Sequence, residues 1–506
     1  MESLRVNYRA VRPLDGSEAL TVESNMRPNF RTAARAVVAL LFFLSLRANA
    51  APEAAPTVAI RDVTVLDMRS ENPRPGMTVL VRGDRIAAVG KELKIPQGAK
   101  VVDASGKFLI PGLWDNYTFT LDAIGRKLPY FELLIAHGVT GVRDAGTSMD
   151  PAEAVRLRGE INAGRLLAPR LFLAGPVLIG EMPPRPSNRW GANSLVVKTA
   201  DEAARAVESL ARAGVDHIKT EKRLAPELLN VIIKAAHKHG LPVAAVPPAF
   251  LDDASNAGLD CIEHFAELHR ATSNKREEYY ALYRDKTIDT MTVDENYAFF
   301  ETMEIDQPYY KETLRIMARN KTFVCTNAAM FATFSPDFEL ADTSRRRFNT
   351  KAELAEVQKA IAEHERQKQN ADYRGSAKSR EKTYRNISDL QKAGVPLLTG
   401  TQLNPRSVGT PGAVLHDELQ IFVQAGLSPF QALQAATVNP AKFMKREKDL
   451  GTIEEGKLAD LVLLDSNPLD DIANIRRINA VVANGRLLTR DDLDGLLNKI
   501  AERAKE

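Results

Sequence analysis

Residues 200–246 read ADEAARAVESLARAGVDHIKTEKRLAPELLNVIIKAAHKHGLPVAAV, and this stretch decides the fold. Two amphipathic runs, each ended by a glycine (Gly214, Gly240), lead into short apolar segments at Asp216–Thr220 and Pro242–Val246. An amphipathic run closed by glycine predicts a helix, and a brief apolar run after it predicts a buried strand. Working outward, the same alternation places strands at Gly112–Phe119, Val139–Asp144, Arg170–Ala174, Asp260–His264, Thr322–Thr326 and Pro396–Thr401. Eight strand–helix repeats predict an α/β chain with a closed parallel (β/α)8 barrel of TIM type, whose chemistry sits at the strand C-terminal ends. An open doubly wound sheet is the alternative, because strand count alone does not establish closure.

The flanks have another texture. TVAIRDVTVLDM (57–68), GMTVLVRGDRIAAVG (76–90) and AKVVDASGKFLIPG (99–112) alternate apolar with charged residues, as half-exposed strands do. The pattern returns in KLADLVLLD (457–465) and NAVVANGRLLTR (479–490), where Asn484-Gly485 signals a hairpin. These segments predict a small β-sandwich-like domain built from residues 51–110 and 446–490. A barrel spanning 111–445 is inserted between them, and a helical tail follows at 491–506. Long, charged, Tyr-rich connections at 265–321 and 335–390 interrupt the barrel rhythm; they either cap its mouth or form surface helices.

Residues 1–50 stand apart. MRPNFRTAARAVVALLFFLSLRANA (26–50) has the basic start, the apolar run Ala36–Leu46 and the small-x-small Ala48-Asn49-Ala50 of a signal peptide cleaved near Ala50. This predicts export to a periplasm or the exterior, with residues 1–25 as an upstream extension. The apolar run is shorter than the ~20 residues a membrane span requires, so no span is expected in the mature chain. Of 68 Lys+Arg and 65 Asp+Glu, this segment carries seven and four, so 61 of each remain. A neutral mature chain offers no global field for nucleic acid or anionic lipid. Arg345-Arg346-Arg347 reads as a solvated helix start. Cys261 and Cys325 lie in strand-like segments and read as buried free thiols rather than a disulfide.

Taken together, six collinear blocks resemble the amidohydrolase superfamily in its imidazolonepropionase and Xaa-Pro-dipeptidase-like branch. They are VDASGKFLIPGLWDN (102–116), GVTGVRDAGT (138–147), GVDHIKT (214–220), GLPVAA (240–245), GLDCIEH (258–264) and AGVPLLTGT (393–401). The most specific part is HDELQIFVQAGLSPFQALQAATVNPAKF (416–443) with DLGTIEEGKLADLVLLD (449–465). The resemblance implies a metallohydrolase acting on carbon–nitrogen bonds. Its metal seats are a His-x-His pair on the first strand, a lysine on the fourth, histidines on the fifth and sixth, and an aspartate on the eighth. There a bound metal such as zinc lowers the pKa of water and the aspartate takes its proton.

Carried over residue by residue, the His-x-His seats hold Tyr117 and Phe119, the lysine is Lys219, the fifth-strand histidine is Val246, the sixth is His264 and the aspartate is Gln402. Phenylalanine and valine have no lone pair to offer a cation, and glutamine carries no charge. Lys219 and His264 alone fall short of the three protein ligands that catalytic zinc uses. His217 and Asp115, two residues before Lys219 and Tyr117, face the same way one layer deeper. They read either as interior packing or, with Lys219 and His264, as a displaced single-metal site; Asp144 ends the second strand nearby. His237 and His239 sit at a helix end and point apart; His416 reads as a packing or capping residue; His137, His269 and His364 read as surface residues.

Three functions remain open. The favoured one is a non-catalytic barrel binding a small molecule or short peptide. The others are a single-metal hydrolase with a rearranged site and an enzyme using Lys219 as a nucleophile. The sequence leaves the ligand and the oligomeric state open.

Overall fold

The computed structural model describes residues 57–505, except 126–128, 182–193, 222, 247–249, 286–289, 292–294, 296–298, 300–301, 333–344, 356–357, 360–361, 363–376 and 403–408. The signal-like segment, most of the 180–191 loop and His364 therefore lie outside the described residues. Residues 56–506 form one compact unit.

Strands from both ends of the chain share one sheet. β1 (Thr57–Val65) pairs antiparallel with β2 (Arg74–Arg82), which pairs with β3 (Arg85–Gly90). On its other side β1 runs parallel to β4 (Lys100–Asp103) and β5 (Phe108–Pro111). The period-two pattern sends Val58, Ile60, Val79 and Val81 into a core shared with Leu109, Leu461 and Leu463.

Two parallel sheets follow. One holds β6 (Leu113–Thr118), β7 (Val139–Asp144) and β8 (Arg170–Leu173). The other holds β9 (Val177–Ile179), β10 (Ser194–Val196), β11 (Ile218–Thr220), β12 (Val243–Ala245), β13 (Cys261–Glu263), β14 (Phe323–Cys325) and β15 (Leu397–Leu398), in the order β10-β9-β11-β12-β13-β14-β15. Backbone bonds join their edges on both sides. The Asp216 and His217 amides donate to the Leu173 carbonyl at 2.7 and 3.2 Å, Asn116 donates to Thr399 at 2.9 Å, and Gln402 donates to Tyr117 at 2.8 Å.

The chain returns to the first sheet through β16 (Leu461–Leu464), antiparallel to β5, then β17 (Ile478–Ala483) and β18 (Arg486–Leu488). Asn484 and Gly485 turn β17 into β18 with φ of 53° and 73°. A side chain at Gly485 would meet the Gly83 carbonyl oxygen at 1.8 Å, so the turn needs glycine for space as well as for conformation. A last helix, Arg490–Arg503, follows.

The helices form where the sequence places them. Ala200–Ala213 begins on a Thr199–Glu202 capping box, ends on left-handed Gly214, and buries Ala203, Val207 and Leu210. Those residues pack on the face of the parallel strands that carries Ile218, Val243, Ile262, Val324 and Leu397. Alternate residues, including Ala244, Cys261, Cys325 and Leu398, point the other way and pack with Trp114, Tyr117, Phe119, Phe172 and Phe443. Both cysteines are buried free thiols.

Candidate functional site at the strand C-terminal ends

Lys219 lies in the middle of β11, with its side chain fully buried. Its Nζ donates to the Thr220 carbonyl at 2.9 Å and to Glu221 Oε1 at 3.0 Å. The ammonium also stands 5.5 Å from the centre of the Tyr117 ring, within cation–π range. Tyr117 in turn meets Phe119 edge-on at 5.6 Å and the His264 ring at 5.1 Å. Burial pushes the Tyr117 phenol well above its ordinary pKa, and the nearby Glu221 and Glu263 push it further, so the hydroxyl stays neutral. Val246 is buried, and its amide donates to the Thr220 carbonyl at 3.1 Å. Lys219, Tyr117, Phe119 and His264 thus come together. Gln402 joins them through the bond from its amide to the Tyr117 carbonyl.

Three strand ends here share a backbone signature. His264 after β13, Asn327 after β14 and Gln402 after β15 have φ of 69°, 54° and 53°. Side-chain-bearing residues rarely adopt this left-handed region, and such strain gathers at functional sites. Asn327 is fully buried, and neither its Oδ1 nor its Nδ2 meets a hydrogen-bonding partner. The Tyr117 hydroxyl is in the same condition. Gly400 packs against the Tyr117 Cβ and the Asn327 amide: a Cβ there would sit 2.9 Å from Tyr117 Cβ, 3.0 Å from Asn327 Nδ2 and 2.5 Å from Cys325 Sγ. A Cβ has no room at such distances, so close packing requires glycine at position 400.

Buried carboxylates hold this frame. Asp115 accepts from Thr401 Oγ1 at 2.5 Å, the Thr401 amide at 3.0 Å and the Tyr117 amide at 3.3 Å. Burial raises its pKa to about 6 against the pull of those bonds. Asp144 accepts from the Leu121 and Gly146 amides at 3.0 and 3.3 Å, and burial raises its pKa to about 8. Glu418, on the helix Ala413–Gln424, takes bonds from Thr326 Oγ1 and from the Ala328 and Ala329 amides, bracketing Asn327; burial lifts it to about 7. In a second buried pair, Arg143 Nη1 and Nη2 meet Glu263 Oε1 and Oε2 at 2.6 and 3.1 Å.

These residues do not fit a divalent cation. His217 stacks on Phe172 at 5.4 Å with the rings 10° apart. Burial, Arg143 and Lys219 hold its imidazole pKa well below the ordinary value. Asp115 is engaged by Thr401, and Lys219 donates rather than accepts. Among the described residues, no group of three or more His, Cys, Asp or Glu is placed to hold a metal.

Two sequence expectations are corrected. Arg345 is no solvated helix start: it lies half-buried in a 3-10 turn (Arg345–Phe348), held by Asp417 at 2.8 Å. His137 is no surface residue: it ends the helix Tyr130–Ala136, donates to the Leu133 carbonyl at 2.7 Å and faces the His416 ring at 5.9 Å. Asn327, Glu221 and Glu418 escaped the sequence reading. Glu221, two residues after Lys219 and just past the end of β11, carried a usable signal in its spacing; Asn327 and Glu418 carried none.

The comparisons with known proteins agree with this fold. The model of the amidohydrolase family matches residues 130–488. Ochratoxinase of Aspergillus niger is 26% identical over 465 residues, covering 79% of this chain and 80% of its own. Imidazolonepropionase of Anaeromyxobacter sp. (strain K) is 25% identical over 452 residues, covering 82% and 90%. Among solved structures, bottromycin amidohydrolase superposes with a TM-score of 0.68 at 21% identity, covering 88% of this chain and 90% of its own. A Xaa-Pro dipeptidase with bound methionine superposes at 0.61 and 20% identity, covering 86% and 100%. The chain belongs to the amidohydrolase family.

Proposed function

We infer that this chain binds a small organic molecule at the strand C-terminal ends, without metal-assisted hydrolysis. The observation that carries the reading is a set of buried polar atoms without hydrogen-bonding partners at these strand ends, Tyr117 Oη and Asn327 Oδ1 and Nδ2. A buried polar atom left without a hydrogen bond costs about 1–3 kcal/mol, and a ligand offering an acceptor and a donor would remove that cost. Amides, lactams and short peptides carry both, and Tyr117 and Phe119 add aromatic surface for an apolar portion. The curated relatives named above are a hydrolase-type company, but four of the six metal seats in this chain hold Tyr117, Phe119, Val246 and Gln402.

The reading includes a closed (β/α)8 barrel formed by β6, β7, β8 and β11 to β15. It is supported by the backbone bonds at both sheet edges. It also includes the small domain from both termini, joined at β5 and β16, and export directed by residues 26–50. No described helix is long and apolar enough to cross a membrane.

The test has two arms. Elemental analysis of chain purified without chelator should find well below one equivalent of metal, with the melting temperature unmoved by EDTA. A panel of amides, lactams and dipeptides, screened by thermal shift and followed by mass spectrometry, should give stabilisation without product. Stoichiometric metal with turnover of any of these compounds would overturn the reading.

A further inference from the structure

A cavity of about 390 Å³ lies apart from the strand ends and shares no lining residue with them. Four arginines from three separate parts of the chain line it: Arg345 and Arg347 from the 3-10 turn, Arg476, and Arg490 at the start of the last helix. His137 and His416 complete its polar wall.

Among the described residues, no carboxylate lines this cavity. Asp417 serves two guanidiniums at once, Arg345 at 2.8 Å and Arg476 at 2.9 Å. Asp494 meets Arg490 at 2.9 Å from a half-exposed position on the same helix. Arg347 lies over the Phe348 ring at 4.7 Å, and no carboxylate among the described residues pairs with it. Among the described residues, these four guanidiniums have two carboxylate partners, Asp417 and Asp494. Arg490 Nη1 donates to the Ile478 carbonyl at 2.9 Å, yet its Nε is buried and without a hydrogen-bonding partner.

The backbone adds to this potential. Arg490 is the first residue of its helix, where the macrodipole is positive and a cation is the unfavourable choice; Asp491 and Asp492 in the same turn offset part of that field. Ala413 and His416 bring the first turn of a second helix to the cavity, and that turn carries no acidic residue. The histidines respond to the same field. Burial, against the bond to Leu133, drives His137 down to about 4, and Arg345, Arg490 and Arg476 act in the same direction. His416 falls well below its ordinary value through burial, His137, Arg476 and Arg345. What the cavity lacks is negative charge.

We propose that this arginine cavity is a binding site for a small organic phosphate monoester. Its oxygens would face Arg347 and Arg490, and its organic part would rest on Phe348, Ile478 and Leu497. Guanidiniums match phosphate oxygens in geometry as well as charge, and the described lining offers cations without a carboxylate. The apolar side wall favours an ester over the bare ion.

Isothermal titration of the whole protein with phenyl phosphate, inorganic phosphate and succinate tests this. Phenyl phosphate should bind at one site, at least about tenfold tighter than inorganic phosphate or succinate, a difference of about 1.4 kcal/mol. Arg347→Ala touches an exposed residue that has no ion pair among the described residues, so the fold should survive; it should weaken binding about tenfold or more. Arg490→Gln should do the same while a circular dichroism melt checks the helix. Lys219→Met should leave the affinity unchanged. Absence of saturable binding up to about 10 mM would overturn the proposal. So would affinity indifferent to Arg347→Ala, or affinity lost in Lys219→Met. Succinate binding as tightly as the ester would overturn the assignment to phosphate.

Discussion

The strand C-terminal ends and the arginine cavity are both short of partners, in different ways. At the strand ends the buried atoms without hydrogen bonds include those of the neutral groups of Tyr117, Asn327 and His217, and the charged groups nearby have ion-pair partners: Lys219 has Glu221, Arg143 has Glu263. In the cavity the shortage is of negative charge: among the described residues four arginines and no carboxylate line it. The first arrangement suits a neutral ligand that completes hydrogen bonds; the second suits an anion. The two regions meet on one helix, since Asp417 turns toward the arginines while its neighbour Glu418 brackets Asn327. Fold alone does not explain the contrast, because one scaffold carries both.

The largest effect expected is on the matched charges. Arg143 and Glu263 are both fully buried and joined by two bonds, with Phe443 under the guanidinium at 5.1 Å. Glu263→Gln leaves an uncompensated buried cation, so urea denaturation should show a loss of about 3–5 kcal/mol. Arg347→Ala, by the same measurement, should change stability by no more than about 0.5 kcal/mol. If the two variants were equally destabilised, the division into a matched interior and an unmatched cavity would fail.

Next comes a dependence on pH. Burial raises Asp144 to about 8, Glu418 to about 7 and Asp115 to about 6, all above the range of an unfolded carboxyl. In that interval the folded chain holds protons that the unfolded chain has released. Stability from these groups is therefore full at acid pH and is lost as pH rises from about 4 to 8. Each such group contributes a slope of about 1.4 kcal/mol per pH unit while only the folded state is protonated. Urea melts at pH 5, 6, 7 and 8 should show this decline, and Asp144→Asn should flatten it most between pH 6 and 8. An unchanged slope in that variant would place the titration elsewhere.

What could be read from the sequence was local or periodic. The helix over 200–213 and the strand at 139–144 follow from an amphipathic period, a terminal glycine and an apolar run, all contained within a few residues. The expected eighth strand at 396–401 shortens to Leu397–Leu398, because Thr399, Thr401 and Gln402 turn their backbone bonds toward Ala435, Asp115 and Tyr117. Lys219, Tyr117, Phe119 and His264 could be assembled in advance because the family resemblance supplied their seats. Pairings that span the chain had no such signal. Arg143 and Glu263 are separated by 120 positions, Asp417 reaches back 72 to Arg345, and His416 reaches back 279 to His137. Arg345 looked solvated for the same reason, since its partner lies on another helix.

The smallest effect is the most discriminating at the strand ends. Tyr117→Phe removes one hydroxyl that is buried and unbonded while keeping the ring against Phe119, His264 and Lys219. Removing a group that makes no hydrogen bond should leave stability unchanged or raise it by up to about 1 kcal/mol. The same variant should weaken whichever amide or lactam stabilises the parent chain, because the ligand loses its bond to Oη. Phenyl phosphate affinity should not move, since Tyr117 lies outside the arginine cavity. A clear drop in stability would mean that the hydroxyl is satisfied within the folded chain, and the strand ends would then lose their claim to be short of a partner.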